Sequence, residues 1–197
     1  MSDPLPAATL DRLFRDARSY NDWLDKDVTE DQLREIYELL KMGPTSANMQ
    51  AARFIWCRSP ESRARLAEHV SAGNKHKVLN APVCVIIGLD EDYHEQLPWL
   101  FPHTDAKSWF EGDPEGRKRH AMRNSTLQGA YLMLAARAIG LDCGPMSGFD
   151  EDGVNREFFA DQPSVKVNFL CSLGYGDKDS IFGRSPRPDF ETFNTVL

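Results

Sequence analysis

The chain has 197 residues, the size of one domain with a substantial core, here placed over 1–197. A formal net charge of −7 argues against a general nucleic-acid or anionic-membrane binder, and 41% hydrophobic with 27% charged residues is the balance of a soluble globular protein. No apolar run reaches bilayer-spanning length, and Met1-Ser2-Asp3-Pro4 lacks the basic and apolar parts of a signal peptide, so a cytoplasmic location is expected. Cys57, Cys84, Cys143 and Cys171 are widely spaced and form no CxxC pair; they read as buried thiols, not a disulfide frame or a zinc site.

Residues 7–17 read as a short amphipathic helix with Leu10, Leu13, Phe14 and Ala17 on one face. Arg18-Ser19-Tyr20-Asn21 follows, a guanidinium, a hydroxyl, a phenol and an amide suited to phosphate or sugar. Residues 30–42 form a stronger helix, with Thr29 and Gln32 at capping-box spacing and a stripe of Leu33, Ile36, Tyr37 and Leu40. Gly43-Pro44 stops it and opens the octet Gly43-Pro44-Thr45-Ser46-Ala47-Asn48-Met49-Gln50. Its hydroxyls and amides carry no charge and can hydrogen-bond a ligand rich in hydroxyls.

Phe54–Arg58 reads as a strand, and Ser59-Pro60 starts a helix running to about Val70. Asn74 and Lys77 have the spacing of one helical face just before Pro82–Gly88, a β-branched run expected to be a buried central strand. Residues 90–116 are irregular and rich in aromatics, among them Trp99, Phe101, Trp109 and Phe110, which suggests a lid or a subunit contact. His94, His103 and Asp105 match no common metal spacing.

Arg117–Ile139 is the longest helical pattern, apolar nearly all round in its second half, with Gly140 as the natural residue past its end. Residues 141–150 then read as a tight Gly/Pro segment with exposed backbone amides, 151–160 as a helix, and Ser164–Leu173 as a second strand ending in Gly174-Tyr175-Gly176. The tail carries Arg184 and Arg187, then Phe190, Phe193, Val196 and Leu197, apolar residues with no partner nearby in sequence; a second subunit would supply one.

No GxGxxG after a strand, no Walker loop and no GxSxG elbow is present, and no acid–base engine stands out. Scattered polar loops flanked by core elements suit a protein that cradles a cofactor and leaves the chemistry to it.

Six segments in order then resemble the nitroreductase family of FMN flavoproteins: 18–21, 44–50, Asn74 with Lys77, the long helix ending in Ile139-Gly140-Leu141, 144–150, and 173–176 with the late Arg187. The wording GPTSANMQAARF, GPMSGFD and NFLCSLGYGD is most similar to the branch of malonic semialdehyde reductases, which serve pyrimidine breakdown. The resemblance implies an α+β fold, a mixed central sheet wrapped by helices, and an intertwined homodimer with FMN at the subunit interface. It implies NAD(P)H as co-substrate and ping-pong hydride transfer through flavin N5 to 3-oxopropanoate. A broader nitroreductase or quinone reductase, and a flavin-binding protein without turnover, are the alternatives.

By position, the resemblance assigns Arg18 and Arg187, with Arg184 as the other late candidate, to the FMN phosphate. Ser19, Tyr20, Asn21, Pro44, Thr45, Ser46 and Asn48 go to the phosphate and ribityl region, Ser46 and Asn48 reaching across the interface. Asn74 and Lys77 address the pyrimidine end of the ring, where reduced flavin carries negative charge. Pro145, Met146, Ser147 and Gly148 lie beside the ring, and Gly174 closes the set. No catalytic side chain or metal is implied. Two positions depart from the family pattern: Ser147 stands where many members carry an acidic residue, and Asn21-Asp22 where many carry a second basic or hydroxyl residue.

Overall fold

The computed structural model describes residues 3–197. Its first helix, α1 (Ala7–Leu10), widens into π-type turns over Asp11–Arg15. There Asp16 N–H bonds back to Asp11 O, and the Leu13 carbonyl accepts from Arg137 instead of from the helix. Leu10, Leu13 and Ala17 are half-buried as the pattern predicts, but Phe14 is exposed.

Helix α2 (Glu30–Leu40) has the expected capping box, Thr29 and Gln32 satisfying each other's backbone N–H, and buries Leu33, Ile36 and Leu40. Strand β1 (Ala52–Cys57) leads to α3 (Pro60–Ala67), whose N-cap Ser59 accepts from Ser62 N–H. Helix α4 (Ala72–Asn80) carries Asn74 and Lys77, and β2 (Val83–Asp90) is buried at every residue.

The irregular stretch that follows is built of short turns: a 3₁₀ turn at Tyr93–Gln96, α5 (Leu97–Leu100) and α6 (Ser108–Glu111). It has a small core of its own, with Tyr93, Leu97 and Ala106 packed on Met49, Leu89 and Ala121. Trp99 and Trp109 remain exposed.

Helix α7 (Pro114–Ala138) starts three residues earlier than the sequence pattern, because Asp113 caps Gly116 N–H and Pro114 sits in the first turn. Gly140 follows it with φ +100°, a conformation that favours glycine. Residues 142–146, expected as part of a tight loop, are instead strand β3 (Asp142–Met146). Pro145 is tolerated there because β3 is the edge strand of the sheet, where a missing N–H donor breaks no ladder to a further strand, and Gly144 leaves room for the Tyr20 carbonyl beside it. Helix α8 (Glu151–Phe158), β4 (Val165–Gly174) and α9 (Phe190–Phe193) complete the chain.

The sheet order is β1-β2-β4-β3 with antiparallel pairing throughout. Among the described residues, parallel pairing enters only at the isolated bridge between Ser19, outside the four strands, and Cys143 at the β3 edge. Side chains of β2 alternate between two cores. Val83, Val85 and Ile87 face α2 and α7, whereas Cys84 and Ile86 face α3, α4 and α8. Full burial of each such aliphatic side chain contributes about 1.5–3 kcal/mol. All four cysteines are free and buried, with Cys57 directly opposite Cys84.

Candidate functional site

The β3 edge carries the first group. Tyr20 N–H donates to Cys143 O at 3.0 Å, which lays residues 18–20 alongside β3. The stretch after β4 folds back over it: Arg18 donates to Phe182 O, and Arg184 donates to Ala17 O at 3.1 Å. The result is a pocket of about 220 Å³ lined by Arg18, Ser19, Asn21, Arg184, Ser185 and Arg187 among others, and by no carboxylate. None of the three arginines forms an ion pair among the described residues. Three unpaired guanidinia beside a hydroxyl and an amide suit a phosphate.

The far end of β3 carries the second group. Asn74 Nδ2 donates to Gly148 O at 3.0 Å, and Ser71 N–H donates to the same carbonyl at 2.9 Å. A Cβ on Gly148 would lie 2.8 Å from Ser71 Oγ and 2.9 Å from Asn74 Nδ2, so glycine permits this close approach. Lys77, one turn along α4, is half-buried, and its carbonyl accepts from Ser172 Oγ at 3.2 Å. Pro145, Ser147 and Gly148 are exposed. From Cys143 to Gly148 the extended chain spans about 16 Å.

Three of the sequence candidates take part in packing. Tyr20 is buried, tilted against Trp23 and so close over Gly176 that a Cβ there would meet its ring at 2.2 Å. Burial and then the Asp142 carboxylate push its phenol up, against the opposing pull of Arg18, so it stays a neutral donor. Met146 turns its side chain into the core with Cys84 and Ile86, which leaves only its backbone for a ligand. Gly174 pairs with Asp142, with Pro82 and Trp23 against its Cα.

The octet lies elsewhere. It precedes β1, at the opposite sheet edge, three strand spacings or about 14 Å from β3. Ala47, Asn48 and Gln50 have φ of 48°, 49° and 43°, left-handed values in residues other than glycine. Ser46 and Asn48 are exposed. The Asn48 amide is engaged internally, donating to Leu100 O at 2.8 Å and accepting from Gln50 Nε2 at 2.8 Å. Thr45 Oγ1 accepts from Gln50 N–H, and Met49 is fully buried as the anchor of the loop. Pro44 O accepts from Tyr131 at 2.9 Å.

Two buried amides, Asn124 and Gln128, escaped the reading of the sequence. They sit mid-helix in α7, Asn124 in the polar run Arg123-Asn124-Ser125-Thr126, which looks solvated, and Gln128 two residues beyond it. The signal was their place on the stripe of Ala121, Leu132 and Ala135, the buried face of the helix.

The Nitroreductase family model matches residues 14–175. The chain belongs to the nitroreductase family. A Stenotrophomonas maltophilia (strain R551-3) protein, provisionally named NADH dehydrogenase/NAD(P)H nitroreductase, is 57% identical over 191 residues, 97% of each chain. Among solved structures, a provisionally assigned nitroreductase from Exiguobacterium sibiricum 255-15, crystallised in complex with FMN, superposes with a TM-score of 0.84 over 100% of both chains at 20% identity. CLA-ER, described as an enone reductase of gut-bacterial fatty acid saturation, gives a TM-score of 0.84 at 19% identity, covering 98% of this chain and 100% of its own. These likenesses show the nitroreductase fold. Among the described residues no helix is long and apolar enough to cross a membrane.

Proposed function

We propose that the protein is an FMN-dependent NAD(P)H oxidoreductase whose acceptor is a small carboxylate-bearing aldehyde, 3-oxopropanoate being the substrate its sequence resembles most. The observation that carries the reading is the β3 edge. A carboxylate-free arginine pocket at one end and the Asn74–Gly148 cradle at the other match a phosphate joined by a ribityl chain to a planar ring. FMN, when bound, supplies hydride transfer from the nicotinamide to the acceptor.

The residues of the chain do the rest. Arg18, Arg184 and Arg187 neutralise the phosphate with planar, multidentate donors. Gly148 lets the backbone approach Ser71 and Asn74 closely, and Asn74 holds the Gly148 carbonyl in place. Lys77 would supply a positive charge to the ring's pyrimidine end, which would favour the reduced, anionic cofactor. Ser147 is exposed and forms no hydrogen bond among the described residues. A hydroxyl there, in place of a carboxylate, leaves an anionic acceptor unrepelled.

The active unit in this reading is a homodimer. Ser46 and Thr45 stand at the opposite sheet edge from Arg18 and Ser147, which favours a site assembled from two copies. A two-fold partner brings its octet to the first chain's β3 edge. Phe182, Phe190, Phe193, Val196 and Leu197 are exposed in the single chain, an apolar tail suited to wrapping a second copy.

Anaerobic stopped-flow tests the assignment. Protein bleached by NAD(P)H is mixed with 3-oxopropanoate, a quinone or a nitroaromatic. Fastest reoxidation by 3-oxopropanoate supports the reading, and Ser147→Glu should then raise the KM for that aldehyde. Reoxidation only by quinones or nitroaromatics would make it a broad reductase, and failure to bleach would leave a flavin carrier.

A further inference from the structure

The octet keeps three left-handed residues in four positions, a conformation that reverts unless its surroundings hold it. The holding groups come from one stripe of α7. Asn124 Oδ1 accepts from Ser46 N–H at 2.9 Å, while its Nδ2 is anchored on His120 O at 2.9 Å. Gln128 Oε1 accepts from Ala52 N–H at 2.8 Å, and its Nε2 donates to Gln50 Oε1 at 2.7 Å. The Tyr131 hydroxyl reaches Pro44 O, and its ring lies so close under Gly43 that a Cβ there would meet it at 2.2 Å. Positions 124, 128 and 131 follow i, i+4, i+7, so one helix face grips the start, middle and exit of the loop. Asn124 and Gln128 are almost wholly buried, and their amides are directed to backbone and side-chain groups of the loop or its anchor.

We infer that Asn124, Gln128 and Tyr131 are positioning residues. They touch no cofactor and act by fixing the octet so that Ser46 faces outward, with Thr45 beside it, for the ribityl and phosphate groups of FMN. This assignment of a purpose to the loop rests on the FMN reading above.

The test compares Asn124→Ala, Gln128→Met and Tyr131→Phe with Ser125→Ala. Ser125 lies on the same helix and is fully buried, but its hydroxyl donates to Gly88 O, away from the octet. Two quantities are read: amide hydrogen exchange at Ser46 and Ala52, and the Kd for FMN by fluorescence titration of apoprotein. We expect exchange over residues 45–52 to accelerate about tenfold or more in Asn124→Ala and Gln128→Met, with β2 and β4 still protected. The FMN Kd should rise about tenfold in both, and about threefold in Tyr131→Phe, which keeps the ring under Gly43. Ser125→Ala should leave both quantities within about twofold of wild type. Exchange that rises evenly over the chain in all four variants would overturn the inference, as would a loosened octet with unchanged Kd. If a larger variant fails to fold, Tyr131→Phe still decides. If wild-type protein takes up no FMN, the cofactor reading falls, whereas the exchange data still decide the clamp.

Discussion

Gly144→Ala tests the link between the fold and the phosphate pocket. A Cβ at this position would lie 2.3 Å from the Tyr20 carbonyl oxygen. The obstacle is backbone, so no side-chain rotation relieves it. The segment 18–20 must lift from β3, breaking the 3.0 Å bond from Tyr20 N–H to Cys143 O and moving Arg18 with it. Overpacking costs about 1–3 kcal/mol and the lost hydrogen bond about 1 kcal/mol, a total of about 2–4 kcal/mol. In a chain of this size that lowers Tm by about 4–16 °C. Thermal unfolding of apoprotein by circular dichroism gives the first number, and FMN titration should show weakened binding beside it. A Tm within about 2 °C of wild type together with an unchanged FMN Kd would refute the argument that β3 holds the arginine segment in place.

Other outcomes follow from the same geometry. Gly148→Ala should leave Tm nearly unchanged, since its unfolded-state gain of about 0.4–1 kcal/mol offsets the Asn74 bond it breaks, yet weaken FMN about fivefold by titration. Arg18→Gln combined with Arg187→Gln should reduce the preference for FMN over riboflavin by about 10-fold or more, because hydrogen bonds to a charged group contribute about 1.5–3 kcal/mol each and riboflavin has no phosphate to lose. Burial pushes the Cys57 thiol up to about 11 and the Cys84 thiol up to about 12. Native protein at pH 8 should therefore resist aromatic disulfide reagents until it is denatured. Above pH 9.0 the unfolded chain sheds these protons and the folded chain retains them, so stability should fall as pH rises from 9.0. Urea midpoints between pH 8 and 10.5 check the sign.

Much of the fold was legible because local chemistry and tertiary structure agree. Thr29 with Gln32, Ser59 with Pro60, and Gly140 mark helix ends by groups that satisfy backbone donors or accept a left-handed turn. The apolar run of β2 is buried on both faces, as its β-branched composition suggests. Strand β3 was hidden because Gly144 and Pro145 signal a turn locally, and only its edge position makes a strand of them. Of the candidate site, Arg18, Ser19, Asn21, Arg184 and Arg187 do converge, through a fold-back of residues 181–187 that no local pattern announces. The octet was recognisable by its residue types. Its support was not, because Asn124 and Gln128 differ from solvated helix residues only in which face they occupy, and the angular position of a mid-helix amide has meaning only once its neighbours are known. The inward side chain of Met146 was hidden for a related reason: alternation along β3 turns it into the core, and alternation could not be assigned to a segment read as a loop.

The most direct measurement is complementation between two inactive chains. One carries Thr45→Ala with Ser46→Ala, and the other Arg18→Gln with Arg187→Gln. Each alone should take up little FMN. If each site joins the arginines of one chain to the octet of its partner, every mixed dimer contains one intact site and one doubly broken one. Subunit exchange should then restore FMN binding and NAD(P)H-dependent bleaching to a fraction of the dimers. Mixing that restores nothing, while wild-type protein binds FMN, would contradict a site shared between two copies.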